Sequence, residues 1–276
     1  MIANAAFAAC FVTLFVTLIL PVLILVLLAR KHPGEKLCSA WFLGAAGFFV
    51  PQILIRLPLM NLLAASEGFL TFSQEHFFLY CLSLAFTAGL FELSGRFATA
   101  KLLQRKDLPF SRALAAGLGH GGIESMLLVG LTYVNNIVCL FLIRSGSFDA
   151  LIAQTEAMGA DVSQLLAVKD ALVNTHPAMF LLAGLERMLT MVCHAGLSVL
   201  VCYGVQAKRT VQCLLLCLLL HTLLDMTPSF TGIFPLTTAY ILIYVCIAAM
   251  AALSLFLLRR LSRWWPACQK GALYDA

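Results

Sequence analysis

Two pairs of ionisable residues set four apart, His120 with Glu124 and His221 with Asp225, stand inside stretches that are otherwise apolar, and Glu92 with Arg96 repeats the spacing. Residues four apart share one face of a helix, so each pair presents two polar groups in one direction. His194 brings an imidazole from a further apolar stretch. A carboxylate in an apolar cavity is a candidate general base for water. Neighbouring imidazoles can orient that water, donate a proton, or hydrogen-bond a developing oxyanion. Glu124 is thus the candidate base, His120, His194 and His221 the groups around the reacting atoms, and Asp225 the residue that fixes the tautomer of His221. Alternatively, His120, His194 and His221 with a carboxylate form a credible ligand set for zinc, although the sequence holds no H-E-x-x-H.

Such groups need elements to carry them into an apolar interior. The 276 residues are 62% hydrophobic and 11% charged, with a mean hydropathy of +0.96, values that suit a helical membrane protein rather than a soluble domain. A span needs about 20 apolar residues, and seven stretches qualify, at roughly 5–29, 39–64, 76–98, 111–143, 178–205, 210–227 and 234–258. The fold class expected is an all-α polytopic bundle of seven spans, or eight if the long fourth stretch holds two pieces. It forms one integral membrane domain over residues 1–276, with a motif-bearing core at about 85–230 and an external loop at about 144–177. Ten cysteines without a C-x-x-C indicate neither a zinc ribbon nor a disulfide framework, and read as small core residues.

Lysines and arginines collect on one side of these spans. Arg30, Lys31 and Lys36, then Arg96, Lys101, Arg105, Lys106 and Arg112, then Lys208 and Arg209, and finally Arg259, Arg260, Arg263 and Lys270 alternate with a side that holds only Arg144 and Lys169. The positive-inside rule then puts the N-terminus outside and the C-terminus in the cytoplasm. The net charge of +5 reports topology; with no basic stripe, no nucleic-acid partner is implied. The lipid bilayer is the partner that composition demands.

Ionisable groups inside spans carry the functional signal, since each costs at least ~2.5 kcal/mol to bury in hydrocarbon. Counting ~1.5 Å per residue from the cytoplasmic ends puts His120, His194 and His221 together at ~13–17 Å, Glu124 and Asp225 at ~20–23 Å and Glu92 at ~9 Å. Three helices therefore bring imidazoles to one level, with two carboxylates a turn beyond. Arg56, between Pro51 and Pro58, marks a kinked helix whose arginine pairs with a buried carboxylate. Glu92 and Arg96 suit an intrahelical ion pair with the arginine snorkelling, and Arg187 beside Glu186 suits interhelical glue. Gly117 and Gly121 form a face that a neighbouring helix can approach closely. In the external loop, Leu151, Ile152, Leu165, Leu166 and Leu172 have the apolar spacing of a helix, which suits an amphipathic connector or a lid lying on the membrane.

The order F-E-L-S-G-R (91–96), G-H-G-G-I-E (119–124), L-E-R to C-H-A-G (185–196) and H-T-L-L-D (221–225) resembles the YhfC-type intramembrane peptidases, within the wider superfamily of CAAX-processing and PrsW-type membrane proteases. The resemblance implies an intramembrane peptidase of glutamic or metal-dependent type in a bacterial cytoplasmic membrane, acting on a membrane-embedded or membrane-proximal peptide. It implies that Glu92 and Arg96 match the end of E-E-x-x-x-R, that Glu124 fills the glutamate of the middle element, and that His221 and Asp225 match H-x-x-x-D. Phe91 stands where that pattern has a first glutamate, so Glu124 must carry the water-activating role or the chain is inactive. A proton-coupled or divalent-metal transporter and a non-catalytic membrane scaffold are the alternatives.

Overall fold

The computed structural model describes residues 4–104 and 108–269; Arg105, Lys106 and Lys270 of the basic asymmetry lie outside the described residues. In chain order the helices are α1 (Asn4–Lys31), α2 (Leu37–Ala64), a short α3 (Glu67–Glu75), α4 (Phe77–Leu103), α5 (Phe110–Ser145), the connecting α6 (Ser147–Ala157) and α7 (Ser163–Asn174), α8 (Pro177–Gln206), α9 (Thr210–Gly232) and α10 (Leu236–Gln269). No strand occurs among the described residues. Seven helices, namely α1, α2, α4, α5, α8, α9 and α10, are long and apolar enough to cross a membrane. The protein is an integral, multi-pass, all-α membrane protein. The fourth stretch is one continuous helix of 36 residues, so the eight-span alternative does not arise.

Three spans contain a π-helical segment, at Phe15–Ile19, Phe49–Arg56 and Ser125–Gly130. In α2 the cause is legible: Pro51 has no N–H to donate and its ring crowds the carbonyl one turn back, so the turn widens. Helix α9 is α-helical to Asp225 and closes in a 3-10 segment from Thr227 to Gly232.

The chain divides into two compact units. One comprises residues 1–21 and 125–188. Its core joins Phe7 and Cys10 of α1, Tyr133, Ile137 and Leu140 of α5, and Phe180 of α8 to Phe148 and Leu172 from the connecting helices. Water is absent from hydrocarbon, so hydroxyls there need protein partners. Thr13 Oγ1 and Tyr133 Oη both donate to the Phe180 carbonyl, at 2.6 and 3.1 Å. Ile152 and Leu165 pack against this core, whereas Leu151 and Leu166 stay exposed. Arg187 pairs with the adjacent Glu186.

The second unit comprises residues 22–124 and 189–276. Here small residues bring backbones together. A side chain at Gly44 of α2 would run into the Ala116 carbonyl of α5, and one at Gly95 of α4 into the Gly47 carbonyl of α2. Cys193 of α8, Leu224 of α9 and Ile243, Ile247 and Ala251 of α10 form a further apolar cluster. Trp265 Nε1 donates to the Leu108 carbonyl at 2.7 Å, and its ring meets Phe110 edge-on at 5.4 Å. The end of α10 thereby fixes the start of α5. Nine cysteines are free thiols among the described residues, mostly buried, as small core residues should be.

Candidate active site

All seven residues picked out for chemistry fall in the second unit, on four helices: Glu92 and Arg96 on α4, His120 and Glu124 on α5, His194 on α8, and His221 and Asp225 on α9. The close approaches at glycine explain how they meet. A Cβ at Gly121 would lie 2.9 Å from the Cβ of His194, and one at Gly117 would lie 2.8 Å from the Cα of Ala195. Any larger residue at these two positions would push α5 off α8 and part His120 from His194. The expected small-residue face thus has a definite use, and the second half of α8 is buried almost without interruption.

At the centre is the Glu92 carboxylate. Its Oε2 lies 3.0 Å from His120 Nε2, 3.1 Å from Arg96 Nη2, 3.5 Å from His221 Nε2 and 3.8 Å from His194 Nδ1. This corrects the shallower level expected for Glu92. Helix α4 runs on to Leu103 rather than ending near 98, and five further residues lower Glu92 by ~7.5 Å, which brings it level with the three histidines. Arg96 does not snorkel either. It is 2% exposed, its Nη2 lies 2.5 Å from His194 Nδ1, its Nε and Nη1 are buried without a hydrogen-bond partner among the described residues, and it lines a crevice with no room for water together with Gly44, Thr99, Ser198 and Cys202.

Two further carboxylates flank this centre. Glu124 Oε2 lies 2.7 Å from His194 Nε2, and Asp225 Oδ2 lies 3.1 Å from His221 Nε2. The Asp225 contact is at ion-pair distance without the alignment of a hydrogen bond, so His221 keeps both ring nitrogens without a hydrogen-bond partner among the described residues. The side chain of Asp225 is 30% exposed and that of Glu124 12%, against 5% for Glu92, so the centre is least enclosed on the side of Asp225. The imidazoles of His120 and His194 stack with centroids 5.5 Å apart, and Phe48 meets His120 edge-on at 5.4 Å.

A metal fits this arrangement through a set that differs by one residue from the three histidines. The ligand atoms of Glu92, His194 and His221 all lie within 4.8 Å of one another, whereas His120 directs its Nε2 to Glu92. Two imidazoles and one carboxylate are a zinc-binding set that leaves a fourth position open, and an unpartnered ring nitrogen of His221 offers the kind of buried lone pair that a cation would satisfy.

Arg56 is buried in the same unit but does not do what its sequence context suggests. Its Nη2 donates to the Leu84 carbonyl at 2.8 Å and reaches Thr87 Oγ1 at 3.4 Å. Backbone and hydroxyl oxygens hold it in place of a carboxylate, and Asp225 and Glu92 act on it at longer range. The sequence reading had no place for Gln52, one turn earlier in the π-helical segment and 8% exposed; two polar residues four apart beside Pro51 were the available signal.

Seven apolar helices, four of which bring a buried carboxylate and histidine centre together, define a membrane-embedded protein with residues that could hold a metal. The chain matches the family described as YhfC intramembrane metalloprotease over residues 16–245, and it belongs to that family. It is also 30% identical over 236 residues to the uncharacterized membrane protein YhfC of Bacillus subtilis (strain 168), which covers 84% of this chain and 87% of that protein. No solved structure matches the chain.

Proposed function

We propose that the protein is an intramembrane peptidase that hydrolyses a membrane-embedded or membrane-proximal peptide bond with water. The observation that carries this reading is the Glu92 carboxylate within 3.8 Å of three imidazoles from three other helices. Membership of a family described as intramembrane metalloproteases supports it. A bundle without chemistry to perform would avoid so many ionisable groups at membrane depth.

Glu92, His194 and His221 would hold a divalent cation such as zinc. When bound, the ion supplies a Lewis acid for the scissile carbonyl. Glu124 takes the proton of the attacking water. It lies outside the proposed ligand set, is more accessible than Glu92, and has His194 Nε2 at 2.7 Å to keep it aimed. His120 and Arg96 hold the Glu92 carboxylate from two sides, at 3.0 and 3.1 Å. Asp225, one turn away on the same helix, lies beside His221 and would orient its ring for the cation. The lysine and arginine asymmetry supports an outside N-terminus and a cytoplasmic C-terminus, with water entering from the cytoplasm.

The test is turnover of single-span peptides by the purified protein in liposomes. Glu124→Gln is expected to lower kcat by about 10²–10⁴, the usual worth of a general base, and His221→Ala to abolish turnover and metal binding, with both proteins folded. Normal cleavage by both variants would overturn the proposal. Zinc or manganese uptake that depends on His194 and Asp225, with no cleavage, would show a transporter instead.

A further inference from the structure

The π-helical segment of α2, Phe49–Arg56, turns two side chains inward, Gln52 at 8% and Arg56 at 7% exposure, while Val50, Leu54 and Ile55 are exposed. Both side chains are buried, so the segment turns the two polar groups to its inward side. Each keeps a hydrogen-bonding atom unused. Gln52 Oε1 is buried without a partner among the described residues. Arg56 is anchored through Nε and Nη2 to Thr87 and the Leu84 carbonyl, which leaves Nη1 with no hydrogen bond among the described residues. A buried acceptor left unmet in hydrocarbon is a costly feature to keep. π-Helical turns occur frequently at functional sites.

Their depth ties them to the centre. Thr87 and Leu84 lie five and eight residues before Glu92 on α4, or ~7.5 and ~12 Å along the helix axis. Asp225, one turn beyond His221, is the least enclosed of the three carboxylates. An extended chain advances about 3.3 Å per residue, so two or three residues of substrate separate this pair from a bond held at Glu92.

We infer that Gln52 and Arg56 form a subsite for the unwound backbone of the substrate peptide. Arg56 Nη1 donates to a substrate carbonyl, and Gln52 Oε1 accepts from a substrate N–H, two or three residues from the scissile bond. A helical substrate must open its hydrogen bonds before its carbonyl can be attacked, and each freed group then needs a partner in a medium without water. One peptide unit presents both a donor and an acceptor, which matches this pair. A carboxylate ligand would offer acceptors only and would meet the negative charges of Asp225 and Glu92. The inference rests on the proposed peptidase reading for its substrate class.

The experiment uses the full chain in liposomes with a fluorogenic single-span peptide, and separately the same peptide with its scissile amide replaced by a non-hydrolysable reduced amide, whose binding is read by fluorescence. Gln52→Leu is expected to raise KM and the dissociation constant of the inert peptide about three- to tenfold, as for one lost hydrogen bond, with kcat and zinc content unchanged. Arg56→Lys is expected to show a smaller loss than Arg56→Met. A single backbone ester in place of the N–H two or three residues from the scissile bond costs the wild type the same factor and costs Gln52→Leu nothing. Wild-type KM and peptide affinity in Gln52→Leu and Arg56→Lys, or an equal ester penalty in both backgrounds, would overturn the subsite. If no peptide is cleaved, yet the inert peptide binds and loses affinity in Gln52→Leu, the peptidase reading fails and the subsite stands.

Discussion

Replacing Glu92 by glutamine removes one negative charge from a point where four cationic or hydrogen-bonding groups converge. Arg96 stays behind, 2% exposed, with its Nη2 3.1 Å from the altered side chain. Breaking a buried ion pair by deleting one partner costs about 3–5 kcal/mol, because the remaining charge has lost its compensation. The glutamine oxygen can still accept from Arg96 or from His120, though not with a full charge, so about 3 kcal/mol is expected, a large fraction of the 5–15 kcal/mol typical of a folded domain. The same change takes one of the three proposed ligands. Groups that merely support a ligand are worth about 10–100-fold in metal affinity, so the loss should exceed 100-fold. The assays are unfolding in mixed micelles and zinc titration of the metal-free protein. A double variant with Arg96→Met should be less destabilised than the two single changes added together, with a coupling of about 0.5–3 kcal/mol. A Glu92→Gln protein that unfolds like the wild type and binds zinc unchanged would refute the placement of Glu92 at the centre of the site.

Gly95→Val should destabilise the protein by about 1–3 kcal/mol, as overpacking of a close contact does, because its side chain would enter the Gly47 carbonyl; an unchanged unfolding midpoint would speak against the close crossing of α2 and α4. In the connector between α6 and α7, Asp161 accepts from the Ser163 N–H at 2.9 Å and from its hydroxyl at 2.8 Å, which holds its carboxyl below the usual aspartate range. A depressed value means that this tie at the start of α7 is present above the ordinary aspartate pKa of about 3.9 and is lost as pH falls through the depressed one. Ser163→Ala should move the Asp161 titration upward in a carbon-detected NMR experiment, and no movement would remove the cause given for it. For orientation, alkaline phosphatase inserted after Met158 should be active and the same enzyme fused after the C-terminus inactive; the reverse pattern would invert the topology.

How much was legible depends on which physical signal each residue left. The seven spans were readable, most of their ends within about five residues and the last expected to stop well short of Gln269, because hydrocarbon imposes a length and a composition that nothing else in a chain imitates. The three histidines were readable as one layer because their helices start or stop near the expected ends, at Phe110, Gln206 and Thr210. Glu92 was misplaced by the same arithmetic. The apolar pattern fades at Arg96 and Lys101 while the helix itself continues to Leu103, and hydropathy cannot see helix that has left the hydrocarbon. The partner of Arg56 was unreadable because a π-helical turn rotates every residue after it, and a count at 100° per residue aims the guanidinium wrongly. The short α3 left no apolar signal long enough to register.

Phe91 shows where the motif and the geometry part company. Taken alone, the missing glutamate left Glu124 as the carboxylate on which any chemistry would depend. In the folded protein, position 91 is displaced from Glu92 by about 100° of helical rotation, and the Glu92 carboxylate is already enclosed by His120, Arg96, His221 and His194. A carboxylate at 91 would therefore not share the direction in which Glu92 meets the three histidines. Glu124 approaches the same histidines from α5, through His194 Nε2. The division of labour proposed here, Glu92 for the cation and Glu124 for the proton, needs no second carboxylate on α4.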